Sequence, residues 1–222
     1  MPVCRLDSAT KLFEAGVERV VAVDKAMISV SQKEVIGIVG PSGSGKSTLL
    51  NLMGALMLPT SGDSYFQEKS LKELSSEERR LLRLSRVGFV FQQLRLIPNL
   101  SVRENVALPM ALVGRSGDLQ VKKVAELLEL VGLEGKERRR PAQLSVGEQQ
   151  RIAIARALVN DPVLILADEP TSQLDTSSGL AIVELLRSLG EKLGAAVVIS
   201  THDQKIGDSL QRVYRMRDGT LA

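Results

Sequence analysis

The stretch Gly40-Pro41-Ser42-Gly43-Ser44-Gly45-Lys46-Ser47 constrains the fold more than any other part of the chain. It follows a short apolar run, Val35-Ile36-Gly37-Ile38-Val39, whose length and continuity suit a buried parallel strand. After it, helix is expected from about Lys46 to Met57, broken by Pro59-Thr60-Ser61-Gly62. A glycine, four residues, then Gly-Lys-Ser between strand and helix is the pattern of a phosphate-binding loop. Glycines let phosphate oxygens approach the backbone, whose consecutive N–H groups then point inward as a nest. The N-terminal end of the following helix adds its positive dipole. Lys46 is expected to reach the β- and γ-phosphates, Ser47 to ligate Mg2+, and Thr48 to join the loop in binding the nucleotide. A flexible Gly/Ser loop could match the same letters, but the strand before and the helix after argue against it.

The remainder organises around that unit. Val20 to Val30 alternates apolar and polar residues and reads as a strand. Ser75 with Glu78, and Ser101 with Glu104, form capping-box pairs that open two helices, the first running to about Leu84. Val121, Val124, Leu127, Leu128 and Val131 keep helical spacing up to Gly132. Val163 to Ala167 and Ala195 to Ser200 are apolar and strand-like, with a helix at about Ser177–Leu193 between them. Buried strands alternating with helices predict an α/β fold with a parallel sheet. One domain is expected over 1–222, with an α/β core from 1–92 and 160–222 and a helical subdomain inserted at 93–159.

Two further groups of residues lie where such sheets bind ligands, at the carboxyl ends of strands. Asp168 and Glu169 follow the run Val163 to Ala167. Asp168 is placed to hold a metal ion and Glu169 to direct a water at the γ-phosphate, although a lone turn acid or helix cap would look the same. His202, the one histidine of the chain, follows the other strand and could donate to the γ-phosphate. A lone histidine is as readily structural.

Leu144-Ser145-Val146-Gly147-Glu148-Gln149-Gln150-Arg151 is a capped helix start, with Ser145 as N-cap and Glu148 as its partner three residues on. It also resembles the signature of the ABC ATPases, with Val146 where the family commonly has glycine. The resemblance extends over nearly the whole chain and implies a P-loop NTPase (RecA-like) core with an N-terminal antiparallel β region. It implies ATP and Mg2+ as cofactors and two copies closing head to tail, Ser145, Gly147 and Glu148 meeting the γ-phosphate held by the other copy. It further implies Gln92 as the Q-loop glutamine and an Mg2+ ligand, Ser172-Gln173-Leu174-Asp175 as the D-loop, and His202 as the H-switch. Phe13 stands at the position of an adenine-stacking aromatic, where an ordinary core phenylalanine is the alternative.

Within the family, Gly88-Phe89-Val90-Phe91-Gln92, Leu96-Ile97-Pro98-Asn99-Leu100 and Glu104-Asn105-Val106-Ala107-Leu108-Pro109 are similar to the ATPases of macrolide exporters and lipoprotein-releasing complexes. That likeness implies a transmembrane permease with a large extracytoplasmic domain as partner, with lipoprotein, macrolide, antimicrobial peptide or haem as cargo. The partner is expected on the surface between Gln92 and about Arg115, where Leu94, Leu96, Ile97 and Leu100 supply apolar contacts. A non-transporting actuator, as in the similar cell-division ATPases, is the rival reading. A soluble ATPase on nucleic acid is the other, and no nucleic-acid partner is expected. Its support is Lys136 to Arg140 and Arg79, Arg80, Arg83 and Arg86, which are interleaved with leucines and glutamates as on a solvated helix face. A net charge of +3 is too small to predict such a partner. One cysteine, no apolar leader in Met1 to Asp7, and no run of ~18–20 apolar residues lead to the cytoplasmic face of a membrane, reached through the permease. Val146 would need to shift the signature loop if its position requires a positive φ.

Overall fold

The computed structural model describes residues 2–16, 18–210 and 212–222. Two sheets lie side by side. The first is antiparallel: β2 (Glu18–Ser31), β1 (Pro2–Ala15), β4 (Ser61–Phe66) and β5 (Lys69–Ser70), in that order. The second contains β3 (Val35–Val39), β6 (Val87–Val90), β7 (Leu164–Asp168), β8 (Ala196–Thr201), β9 (Arg212–Arg217) and β10 (Thr220–Leu221). Its order is β10-β9-β3-β8-β7-β6, parallel except for the β9–β10 hairpin.

The period-2 pattern of the parallel strands divides two cores. Ile165, Ala167, Val197 and Ile199 face one side, where the helical segment and α6 (Thr176–Leu193) pack. Ile36, Ile38, Leu164, Leu166, Ala196 and Val198 face the other, with α1 (Lys46–Met53) and the antiparallel sheet. Two-sided burial explains why these strands read as unbroken apolar runs.

α1 stops four residues before the sequence suggests. Gly54 sits against the sheet so closely that a Cβ there would lie 2.1 Å from the Phe89 ring. The chain turns at once, with the Leu56 and Met57 amides both donating to the Asn51 carbonyl. α2 (Ser76–Arg86) and α3 (Val102–Leu112) begin with complete capping boxes at Ser75/Glu78 and Ser101/Glu104. Then come α4 (Asp118–Leu130), a 3-10 turn at Pro141–Gln143 and α5 (Val146–Leu158), with no strand among the described residues between β6 and β7. A short helix, α7 (Gln204–Asp208), follows β8. The antiparallel sheet is the N-terminal β region that the family resemblance implies, but periodicity alone marks neither its strands β1, β4 and β5 nor α7, β9 and β10, whose stretches are polar or very short.

Candidate functional site

The loop between β3 and α1 is shaped by contacts that only glycine permits. Gly45 has φ +104°, and a Cβ on it would lie 2.0 Å from the Ala22 carbonyl oxygen. A Cβ on Gly40 would lie 2.1 Å from the Met216 carbonyl oxygen. Gly43, at φ +79°, has open space around it. The loop borders a cleft of about 620 Å³, with Ser42, Gly43, Gly45, Lys46, Ser47 and Thr48 along one wall. The Ser44 hydroxyl is buried without a partner among the described residues, so the loop holds a donor unsatisfied by protein.

Three sequence-predicted residues meet at the carboxylate of a fourth, Glu169. Lys46, 4% exposed, sends its Nζ to the Gly40 and Pro41 carbonyls at 2.8 and 2.9 Å and lies 3.2 Å from Glu169 Oε1. Glu169 Oε2 is 2.8 Å from His202 Nδ1 and accepts from Gln92 Nε2 at 3.4 Å. β6, β7 and β8 each deliver one of these residues just beyond their carboxyl ends, and Lys46 opens α1 across the loop that follows β3. Glu169 is held in the left-handed region at φ +45°, which a non-glycine residue adopts only where its surroundings over-determine it. Its amide donates to Ser200 Oγ at 2.9 Å, and that hydroxyl donates to Asp168 Oδ1 at 2.7 Å. Fully buried Ser200 therefore ties the two acids together. The sequence reading missed it, although it is the polar residue that ends an apolar run. The reading also missed the Asp218-Gly219 turn, which borders the cleft and donates the Gly219 amide to the Ser44 carbonyl at 3.0 Å.

The other predicted residues lie outside this convergence. Phe13 does not line the cleft, but it pairs across the strands with Val20, which does, and directly paired residues share a face. Ser145, Gly147 and Glu148 line no part of the cleft of their own chain. They open α5 with a complete capping box, and a Cβ on Gly147 would meet only Leu174, at 3.9 Å. Val146 is the first residue of that helix and keeps a negative φ, so the valine requires no shift. Asp175 caps α6, its carboxyl held well below the usual range by hydrogen bonds from Ser177 and Ser178.

On the opposite side of Phe91 and Gln92 lies a second hollow, a groove of about 540 Å³. Leu56, Leu84, Phe89, Phe91, Leu108 and Leu112 give it apolar walls, and Arg80, Arg83, Arg95 and Arg156 are its charged residues, with no acid among the described lining. The Arg95 guanidinium lies 4.2 Å from the centre of the Phe91 ring. Burial, then Arg95, holds Arg156 below its ordinary pKa, while burial, then Arg79 and Arg80, does so for Arg83. Asn160, 8% exposed, donates to the Leu84 carbonyl at 2.8 Å and leaves its Oδ1 without a partner among the described residues. Arg80 and Arg86 stand exposed on α2, as a solvated face requires, while half-buried Arg79 and Arg83 donate to the backbone carbonyls of Leu71 and Ala55. Leu94, Leu96, Ile97 and Leu100 do not line the groove: Leu94 is buried and Leu96 packs on the core.

A parallel sheet with a glycine-built phosphate loop, a buried lysine and an acid pair at the next strand defines a P-loop nucleotide-binding protein. The family model for ABC transporters matches residues 23–172. The chain is 42% identical over 221 residues to the ABC transporter ATP-binding protein MJ0796 of Methanocaldococcus jannaschii, covering 98% of this chain and 94% of that one. It is 42% identical over 217 residues to the lipoprotein-releasing ATP-binding protein LolD of Shewanella denitrificans, covering 98% and 93%. A dimeric structure of the MJ0796 cassette bound to ADP and Pi superposes with a TM-score of 0.90 at 40% identity, covering 98% of this chain and 96% of that one. The chain belongs to the ABC transporter family, as its ATP-binding, ATP-hydrolysing subunit.

Proposed function

We propose that this chain drives a membrane permease of the exporter kind from the cytoplasmic face, closing head to tail with a second copy around ATP. Lys46 then leaves Glu169 for the β- and γ-phosphates, and the orphan Ser44 hydroxyl and the loop amides take phosphate oxygens. Ser47, Asp168 and Gln92 supply a hydroxyl, a carboxylate and an amide oxygen, a hard-donor set that suits Mg2+. When bound, that ion neutralises charge between the phosphates. Glu169 accepts the proton of the attacking water, with His202 fixing the carboxylate and facing the γ-phosphate.

The observation that carries the permease reading is the pair Phe91 and Gln92. Consecutive residues look into two hollows, Phe91 into the groove and Gln92 into the nucleotide cleft. A partner seated in the groove can therefore move a side chain that touches Glu169. The charged residues of the lining are all arginines, of which Arg80 is already paired with Glu77, and together with the Asn160 acceptor, unpartnered among the described residues, they fit a short amphipathic helix carrying at least one carboxylate and a hydrogen-bond donor. Exposed Leu112 tests this without disturbing the core. Leu112→Asp should cut co-purification with the permease about tenfold or more and leave ATP binding by the free subunit intact. Undiminished co-purification would remove the groove as the docking site.

A further inference from the structure

The start of α5 carries an electrostatic conflict. Glu148 completes the capping box, its Oε2 accepting from the Ser145 amide at 2.8 Å and the Ser145 hydroxyl at 3.0 Å. That bonding stabilises the helix start in the free chain. It also fixes a full negative charge in the first turn, where the partner-held γ-phosphate must dock. Protonation offers no relief, because Lys136 first, and then Ser145, hold the Glu148 carboxyl down to about 2. The relief has to come from a cation.

The structure supplies one. The Lys136 ammonium forms an ion pair with Glu148 Oε1, the carboxylate oxygen the capping box leaves free. Lys136 lies in the turn after α4, and that turn is anchored. The Val102 and Arg103 amides, at the start of α3, donate to the Arg139 and Glu137 carbonyls at 2.7 and 3.0 Å. We infer that Lys136 is a positioning residue for the nucleotide sandwich: it cancels the charge of Glu148 so that the start of α5 can receive the γ-phosphate of the opposing copy. This rests on the head-to-tail reading above.

The pair is partly exposed, Lys136 at 39% and Glu148 at 26% of their side chains, so it should contribute little to the stability of the lone subunit. Its effect grows when a second copy excludes water and the field of an uncancelled carboxylate strengthens. Lys136→Ala should therefore leave the melting temperature within about 2 °C of the parent.

The test is ATP-driven dimerisation followed by light scattering, in a Glu169→Gln background that blocks turnover. Lys136→Ala should raise the ATP concentration for half-assembly about tenfold. Lys136→Arg should restore it, and added salt should narrow the gap. The deficit should vanish when Glu148→Gln is combined with Lys136→Ala, which a purely structural role for the lysine would not produce. An unchanged half-point in Lys136→Ala, or a deficit that persists beside Glu148→Gln, overturns the inference. Gly147→Glu separates the two readings, because its Cβ has room and its φ is ordinary. If Gly147→Glu assembles normally, or the parent never dimerises, head-to-tail closure fails. If Gly147→Glu blocks assembly while Lys136→Ala is silent, only the role of Lys136 falls.

Discussion

The nucleotide cleft and the groove lie on either side of Phe91 and Gln92, and they are built by opposite means. The cleft is made from consecutive backbone: six of its lining residues fall between Ser42 and Thr48. The groove gathers side chains scattered from Leu56 to Asn160, no more than three of them in sequence. Phosphate chemistry demands neighbouring amides and so forces a contiguous motif. An apolar, arginine-lined hollow demands only that side chains arrive in one place. If each hollow has its own task, substitutions in one should spare the other.

The widest separation is expected at Glu169. Glu169→Gln should slow hydrolysis ~10²–10⁴-fold, the usual contribution of a general base, while permease binding and ATP binding persist. Lys46→Ala should instead lose ATP affinity and turnover together, since the ammonium faces both the loop carbonyls and Glu169. Equilibrium binding of a fluorescent ATP analogue beside a phosphate-release assay distinguishes them. Wild-type turnover in either variant would mean that the convergence on Glu169 is not the reaction centre.

Next comes the loop itself. Gly45→Ala combines a strained φ with a Cβ only 2.0 Å from the Ala22 carbonyl, so backbone must move. A loss of about 2–3 kcal/mol in ATP binding, close to a hundredfold, is the expected scale. Calorimetric titration measures it, and near-normal affinity would show that the loop relaxes freely. Co-purification with the permease should be unaffected.

A smaller effect is expected from the groove's buried amide. Asn160→Leu removes one hydrogen bond to Leu84 but also an acceptor that has no partner among the described residues, so the free subunit should change by about 1 kcal/mol or less. Permease affinity should fall several-fold if that acceptor meets a donor on the partner, and surface plasmon resonance reads it. Equal loss in stability and binding would make Asn160 a packing residue.

The contrast also explains what the chain discloses before folding. The glycine loop, the acid pair, the capping boxes of α2, α3 and α5, and the buried strands are all local patterns, and each appears where the sequence places it. Ser200 was invisible because nothing local says that its hydroxyl bridges Asp168 and the Glu169 amide, 32 and 31 residues away in the chain. Of the apolar residues near Gln92, Leu94 and Leu96 are taken up by the core while Ile97 stays exposed, a division that the letters alone do not reveal. β1 and β4 escaped because bulges and polar faces break their alternation.

The smallest effect should come from Val146, which first looks like the largest departure. The family commonly has glycine there, and a β-branched residue would be costly at a positive φ. In the structure Val146 opens α5 at a negative φ, 42% exposed, with its side chain in solvent. The amides of the first turn are presented to an incoming anion by the backbone, and Val146 keeps its own N–H. Val146→Gly should thus leave ATP turnover within about twofold, while the glycine costs the helix start up to about 0.5 kcal/mol of stability. Steady-state hydrolysis and a thermal melt suffice to check both. A rise in turnover of about tenfold would mean that the valine obstructs the opposing nucleotide. The signature would then be tuned by bulk at its surface as well as by the cap beneath it.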